Sequence, residues 1–172
     1  PLPADKAGQG ALRQTLASLA LAMPKGQVSS PTTLRLAGKT FQFEANELGL
    51  QSAAFRFAKQ TCSLHLRTAQ GEHSIHGGIG QWVRGETALP GTPPRLISGG
   101  AAKPGTPHKI ATSAAWTDEN TLEVMLRYYE TPHHDSLTCR FDGERVQISF
   151  LGSIAKSRGG KDSRTTLQGR MG

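Results

Sequence analysis

The chain has 172 residues, 36% hydrophobic and 6% aromatic, with 20 glycines and 10 prolines. That is enough for one domain with a buried core, too apolar for a disordered chain and turn-rich for a helical one. The formal net charge is +7, but residues 1–150 carry 15 Lys/Arg against 12 Asp/Glu, while residues 151–172 carry 5 against 1. The excess is therefore a short basic tail (Lys156, Arg158, Lys161, Arg164, Arg170) without interleaved aromatics. It reads as a solvated loop and not as a nucleic-acid surface. No apolar run is long enough for a transmembrane helix, and no signal peptide opens the chain. A start at Pro1 and not Met is what a fragment of a longer chain would show.

In chain order, Leu12, Leu16, Leu19 and Met23 recur at helical spacing and Pro24 and Gly26 stop the pattern, which predicts one amphipathic helix over 8–24. Its leucines are expected to pack against the rest of the domain. The period then falls to two. Leu34 and Leu36 alternate with Thr33 and Arg35, Phe41 and Phe43 with Gln42 and Glu44, and Phe55 and Phe57 flank Arg56. Cys62, Leu64 and Leu66 continue the rule, with polar residues on the other face and turn residues between the runs. Five of the ten prolines fall in 88–107, so that stretch is expected to be a crossover between two groups of strands. Strands resume at Ile110–Trp116 and Leu122–Tyr129, joined by a turn at Asp118-Glu119-Asn120. Leu137–Phe141 and Val146–Phe150 follow, joined by Asp142-Gly143, a strong hairpin signal. The expected fold is mainly β: a single domain over 1–172, an antiparallel barrel of about ten strands with one N-terminal helix. Phe41, Phe43, Phe55, Leu64, Leu66, Leu126 and Phe141 are bulky enough to fill it, leaving no large cavity.

Few residues look like chemistry. Cys62 and Cys139 each share a face with apolar neighbours, so two buried thiols are favoured over a bridge. Ser153-Ile154-Ala155-Lys156 matches Ser-x-x-Lys, in which a lysine one helical turn from a serine can activate it. Thirteen serines and eight lysines make a chance match easy, and the flanking strand and Gly159-Gly160 predict a loop there. His133 and His134 adjoin Asp135 and Glu130, but neighbouring strand residues point to opposite faces and rarely share an ion. No metal site and no cofactor is expected. Trp82, Trp116, Tyr128 and Tyr129 are the residues best able to wall a ligand site, with His133 and His134 beside them as contact candidates. Strand core is the commoner role for such aromatics.

A series of segments carries a resemblance. Met23-Pro24-Lys25-Gly26 leads to Leu36–Asn46 and Leu48-Gly49-Leu50. Gly80–Thr87, Ala115–Leu122, Tyr129–Pro132, Leu137–Gly143 and Leu167-Gln168-Gly169 follow. The order resembles the lipocalin-like β-barrel domain that follows the catalytic domain in bacterial serine hydrolases of the penicillin-binding-protein and class C β-lactamase type. The resemblance implies a non-catalytic accessory barrel whose partner is the catalytic domain of the same parent chain, in a periplasmic or secreted protein. That family's catalytic order is Ser-x-x-Lys, Tyr-x-Asn, then His-x-Gly or Lys-Thr-Gly. Here Tyr-x-Asn is absent and His76-Gly77-Gly78 precedes Ser153, so no catalytic residue carries over. The alternatives are a stand-alone barrel holding a small apolar ligand and an autonomous enzyme using Ser153 and Lys156.

Overall fold

The computed structural model describes residues 5–89 and 106–172; most of the 88–107 crossover lies outside them. Ten strands form one sheet: β1 (Thr40–Phe43), β2 (Leu50–Ala58), β3 (Thr61–Thr68), β4 (Gly71–Ile79), β5 (Val83–Thr87), β6 (His108–Asp118), β7 (Thr121–Tyr128), β8 (His134–Asp142), β9 (Arg145–Gly152) and β10 (Leu167–Met171). Neighbours run in the order β4-β3-β2-β1-β10-β9-β8-β7-β6, and β4 then meets β6, closing a nine-strand barrel with β5 as an extra strand on β6. Parity explains the seam. Eight antiparallel steps return the ninth strand to the direction of the first, so an odd barrel must close through one parallel pair. That pair is β4–β6, with Gly78 opposite Ser113 and Ile79 opposite Ala114. Gly77 makes the approach possible, since a Cβ there would stand 2.9 Å from the Thr112 methyl of β6; Gly78 instead admits the tight turn that follows β4, where a Cβ would stand 2.5 Å from Gln81.

Alternation places the core. Leu122, Val124, Leu126 and Tyr128 of β7 and Asp135, Leu137, Cys139 and Phe141 of β8 are buried, while intervening residues face outward. One half of the interior is filled by rings. Phe55 meets Phe141 at 5.1 Å between centroids, Phe41 meets both, and Trp116 lies 5.9 Å from Phe141 and 5.6 Å from Phe57. Cys62 and Cys139 are free thiols buried in this core, and burial pushes the Cys62 thiol up to about 12.

Three short-range expectations change. Residues Thr32–Leu36 form a one-turn helix (α2), not a strand. It corks the ring-filled end: Leu36 is buried, the Ser30 hydroxyl donates to the Glu119 carbonyl, and Thr32 and Arg35 both donate to the Asn120 side chain. Ser153–Ser157 is also a helix (α3), not a loop. The N-terminal helix (α1) spans Lys6–Ser18, ends six residues before Pro24 and buries nothing. Leu12, Leu16 and Leu19 are more than half exposed, so α1 is not docked on the barrel. The reason is the closure itself: α2 already seals one end, and the outward side chains of β3 and β8 are mainly polar. The segment after α1 is tied on by backbone: Gln27 pairs with Trp116, and Gly26 passes so close that a Cβ would meet the Trp116 carbonyl at 2.2 Å.

Candidate functional site

The end of the barrel opposite α2 is an open mouth, built from the last residues of β3, β7 and β9 and the first of β2, β8 and β10. Asp135 is the second residue of β8. Its alternation with Leu137 and Cys139 turns it inward, and it is 4% exposed. Two groups meet it there. The Tyr128 hydroxyl donates to Oδ2 at 3.3 Å, and Arg164 donates to Oδ1 at 2.8 Å. Arg164 also grips Asp162, with Nε 2.9 Å from Oδ1 and a terminal nitrogen 2.8 Å from Oδ2. Asp162 in turn accepts the backbone N–H groups of Gly152 and Arg164. The guanidinium lies over the Phe150 ring at 4.8 Å.

The electrostatics follow from these contacts. Hydrogen bonds from Arg164 hold the Asp162 carboxyl well below the usual carboxylate range. Burial works against the Arg164 charge, but its bonds to Asp162 and Asp135 outweigh that and raise its pKa. Two carboxylates and one guanidinium are thus committed to one another. They tie the irregular stretch 158–166 across the mouth. The basic tail read from sequence as solvated therefore splits: Arg164 is partly buried in this cluster, and Arg170 lies in β10.

Beneath the cluster lies a cavity of about 50 Å³, walled by leucines including Leu64, Leu66, Leu126 and Leu137, with Tyr128, Asp135 and Arg164 at its polar end. Pockets for drug-sized ligands start near ~300 Å³. This one is far smaller, because the bulky side chains foreseen as filling have filled the barrel.

Beside the mouth, the Ser153 hydroxyl at the start of α3 is 3.2 Å from His133 Nδ1 and accepts the His134 backbone N–H at 3.4 Å. Serine next to imidazole is the beginning of a nucleophile–base pair. Acyl transfer further needs a group that orients the imidazole and donors aimed at the oxyanion. Among the described residues no carboxylate bonds the other ring nitrogen of His133, and Lys156 makes no hydrogen bond to Ser153.

The six candidate contacts do not converge. Tyr128 and His133 belong to the mouth. His134 meets Arg127 at 3.2 Å, and its pKa is lowered by partial burial and then by Arg127 and Lys156. Tyr129 is about half exposed, under Arg84 at 5.9 Å. Trp82 donates its indole N–H to the Leu21 carbonyl at 3.1 Å, fastening the segment after α1. Trp116 is fully buried in the ring cluster, its indole nitrogen without an acceptor among the described residues. Sequence reasoning missed Arg164 and Asp162 as partners. The two-residue alternation of Asp135 with Leu137 was the available signal for a carboxylate inside the barrel. Among the described residues, no group of three or more His, Cys, Asp or Glu is placed to share a metal ion, and no helix is long and apolar enough to cross a membrane. No protein-family model and no curated protein matches the chain.

Proposed function

We propose that the chain is a non-catalytic accessory barrel domain of a larger serine hydrolase, lying against the catalytic domain of the same parent chain. The observation that carries this reading is the apolar face of α1. Leu12, Leu16 and Leu19 sit at i, i+4 and i+7, Leu19 just past the end of the helix, and Leu21 and Met23 follow in the chain; all five are exposed. Exposed apolar residues grouped in this way mark an interaction site. Among the described residues the barrel offers it no partner, and an upstream catalytic domain would. The filled interior supports the same reading over a ligand-binding barrel, because a binding barrel needs space that the rings and leucines occupy.

A second reading, hydrolysis by this chain itself, rests on the 3.2 Å contact between Ser153 and His133. Two measurements separate them. The coding sequence upstream of Pro1 should encode a domain with Ser-x-x-Lys followed by Tyr-x-Asn. Intact-mass analysis after incubation with a reactive β-lactam should show no covalent adduct on this chain. A stoichiometric adduct that disappears in Ser153→Ala would replace the accessory reading with the catalytic one.

A further inference from the structure

The barrel wall is incomplete at its corked end. β1 stops at Thr40, opposite Ala54 of β2, while β2 runs on to Ala58, paired with β3 as far as Thr61. Residues 55–58 therefore have a strand neighbour on one side only. Successive residues of a strand direct their backbone groups to alternate sides. Ala58 and Thr61 close the two-residue turn Lys59-Gln60 by bonding each other, so Arg56 also turns its backbone toward β3. Phe57 turns its N–H and C=O the other way, toward the gap that β1 vacates. No group among the described residues bonds them there.

That gap is a cleft of about 420 Å³ between β2 and α2. Val28 and Leu34 form one lip, and both are exposed, Leu34 at 82%. Phe57 and Ile79 form the apolar floor. Arg56 and Lys59 stand on the opposite lip. Among the described residues, no Asp or Glu lines the cleft, and neither cation has a hydrogen-bond or ion-pair partner. An open strand edge, an apolar floor and two uncompensated positive charges thus share one site.

We propose that this cleft receives an extended acidic peptide segment, added as a further strand alongside residues 55–58. Each feature selects part of that occupant. The unpaired backbone of Phe57 calls for a partner with its own N–H and C=O groups, which a lipid tail or a free anion lacks; strand addition to a sheet edge is an established recognition mode. The floor takes an apolar side chain, and its neighbours in the peptide, one residue to either side, point back toward the lip. Arg56 and Lys59 favour carboxylates at those neighbours and disfavour basic peptides. Four residues of strand span about 13 Å at ~3.3 Å each, so a segment of four to six residues covers the edge. The inference does not rest on the accessory-domain reading, since it concerns the end of the barrel remote from the mouth and requires no parent enzyme.

The test is a selection of phage-displayed random heptapeptides on the full chain, counter-selected against the double variant Arg56→Glu/Lys59→Glu. Both side chains are exposed, and unchanged circular dichroism and Tm verify the variant's fold. Expected are peptides alternating apolar residues with Asp or Glu, bound at least tenfold more weakly by the double variant and by Leu34→Ser on the other lip. N-methylation of the peptide amide facing Phe57 should cost a further tenfold, and peptide binding should slow hydrogen exchange at the Phe57 amide. Three results would overturn the proposal: no peptide enriched over the double variant, binding indifferent to N-methylation, or decanoate alone protecting the same amides as well as the peptide does. The last would make the cleft a small-anion site. A concentration-dependent dimer that the double variant abolishes would instead assign the edge to a second copy of this chain, and would equally overturn it.

Discussion

Replacing Arg164 by alanine should be among the most damaging single changes outside the ring cluster. The guanidinium side chain is 19% exposed, and its two partners are more buried still, Asp135 at 6% and Asp162 at 10%. The two carboxylates do not suffer equally. Asp162 keeps the backbone N–H groups of Gly152 and residue 164, both of which survive the substitution. Asp135 keeps only the Tyr128 hydroxyl at 3.3 Å. The cost therefore concentrates on one buried charge left without its counter-ion, for which ~3–5 kcal/mol is typical. We expect about 3 kcal/mol, because Asp135 lies at the mouth where water can reach part of the vacated space. For a chain of this length that lowers Tm by roughly 6–12 °C.

The decisive assay is a double-mutant cycle in urea with Arg164→Ala, Asp135→Asn and the pair. Removing both charges leaves no orphan, so the double variant should be more stable than the sum of the single losses requires. The coupling should lie above ~1 kcal/mol. A single-variant cost below ~1 kcal/mol, or a coupling within ~0.5 kcal/mol of zero, would refute the assignment of Arg164 as the tie across the mouth.

Other consequences are equally direct. Leu16→Ala should change stability by no more than ~0.5 kcal/mol, as surface positions do, whereas Leu36→Ala in α2 should cost about 2–5 kcal/mol; reversed magnitudes in equilibrium unfolding would mean that α1 and not α2 seals the barrel. Cys62 and Cys139 should resist thiol reagents in the native state, since burial keeps both protonated, and should be labelled at the rate of global unfolding; prompt native-state labelling of either would place it outside the core. Asp162 has a folded pKa below its unfolded value near ~3.9, so its stabilisation is fully present above that value and is lost as pH falls below about 4. The stability difference between the wild-type chain and Asp162→Asn should accordingly be flat from about pH 5 to 7 and shrink below about pH 4; a difference that shrinks instead above pH 6 would contradict the Arg164 pairing.

The barrel was legible because half-buried strands write their burial into every second residue. Cys62, Leu64 and Leu66, and likewise Leu122 through Tyr128, face inward as their alternation required. Elements of a single turn carry no such record. Leu34 and Leu36 are two apart, which is compatible with a strand, yet five residues are too few for either period to declare itself, and Pro31 with its fixed φ starts a helical turn. Ser153–Ser157 fails for the same reason. Helix α1 shows a different gap: an amphipathic pattern reports that a face is apolar but not which surface covers it. At the mouth, the alternation of Asp135 with Leu137 and Cys139 carried its inward position, but the strand read from the sequence began only at Leu137 and left Asp135 in the connection before it. Arg164 lies 29 residues away in an irregular stretch, where no periodicity exists to bring the two together.

The two ends of the barrel are held by different physics, and this decides where each can tolerate change. The corked end rests on ring packing and on Leu36, forces that depend on shape and are insensitive to pH. The mouth rests on charges that a proton or a single substitution can unbalance. Between them runs the parallel seam, the narrowest junction in the wall, with only two residue pairs recorded between β4 and β6. The seam is short because β6 divides its edge three ways: residues 108–112 pair with β5, residues 113 and 114 with β4, and Trp116 with Gln27. The odd strand number thus concentrates weakness at one place, and Gly77 is its condition. A side chain there would meet Thr112, push β4 away from β6 and open the parallel contact that, among the described residues, makes the sheet a barrel.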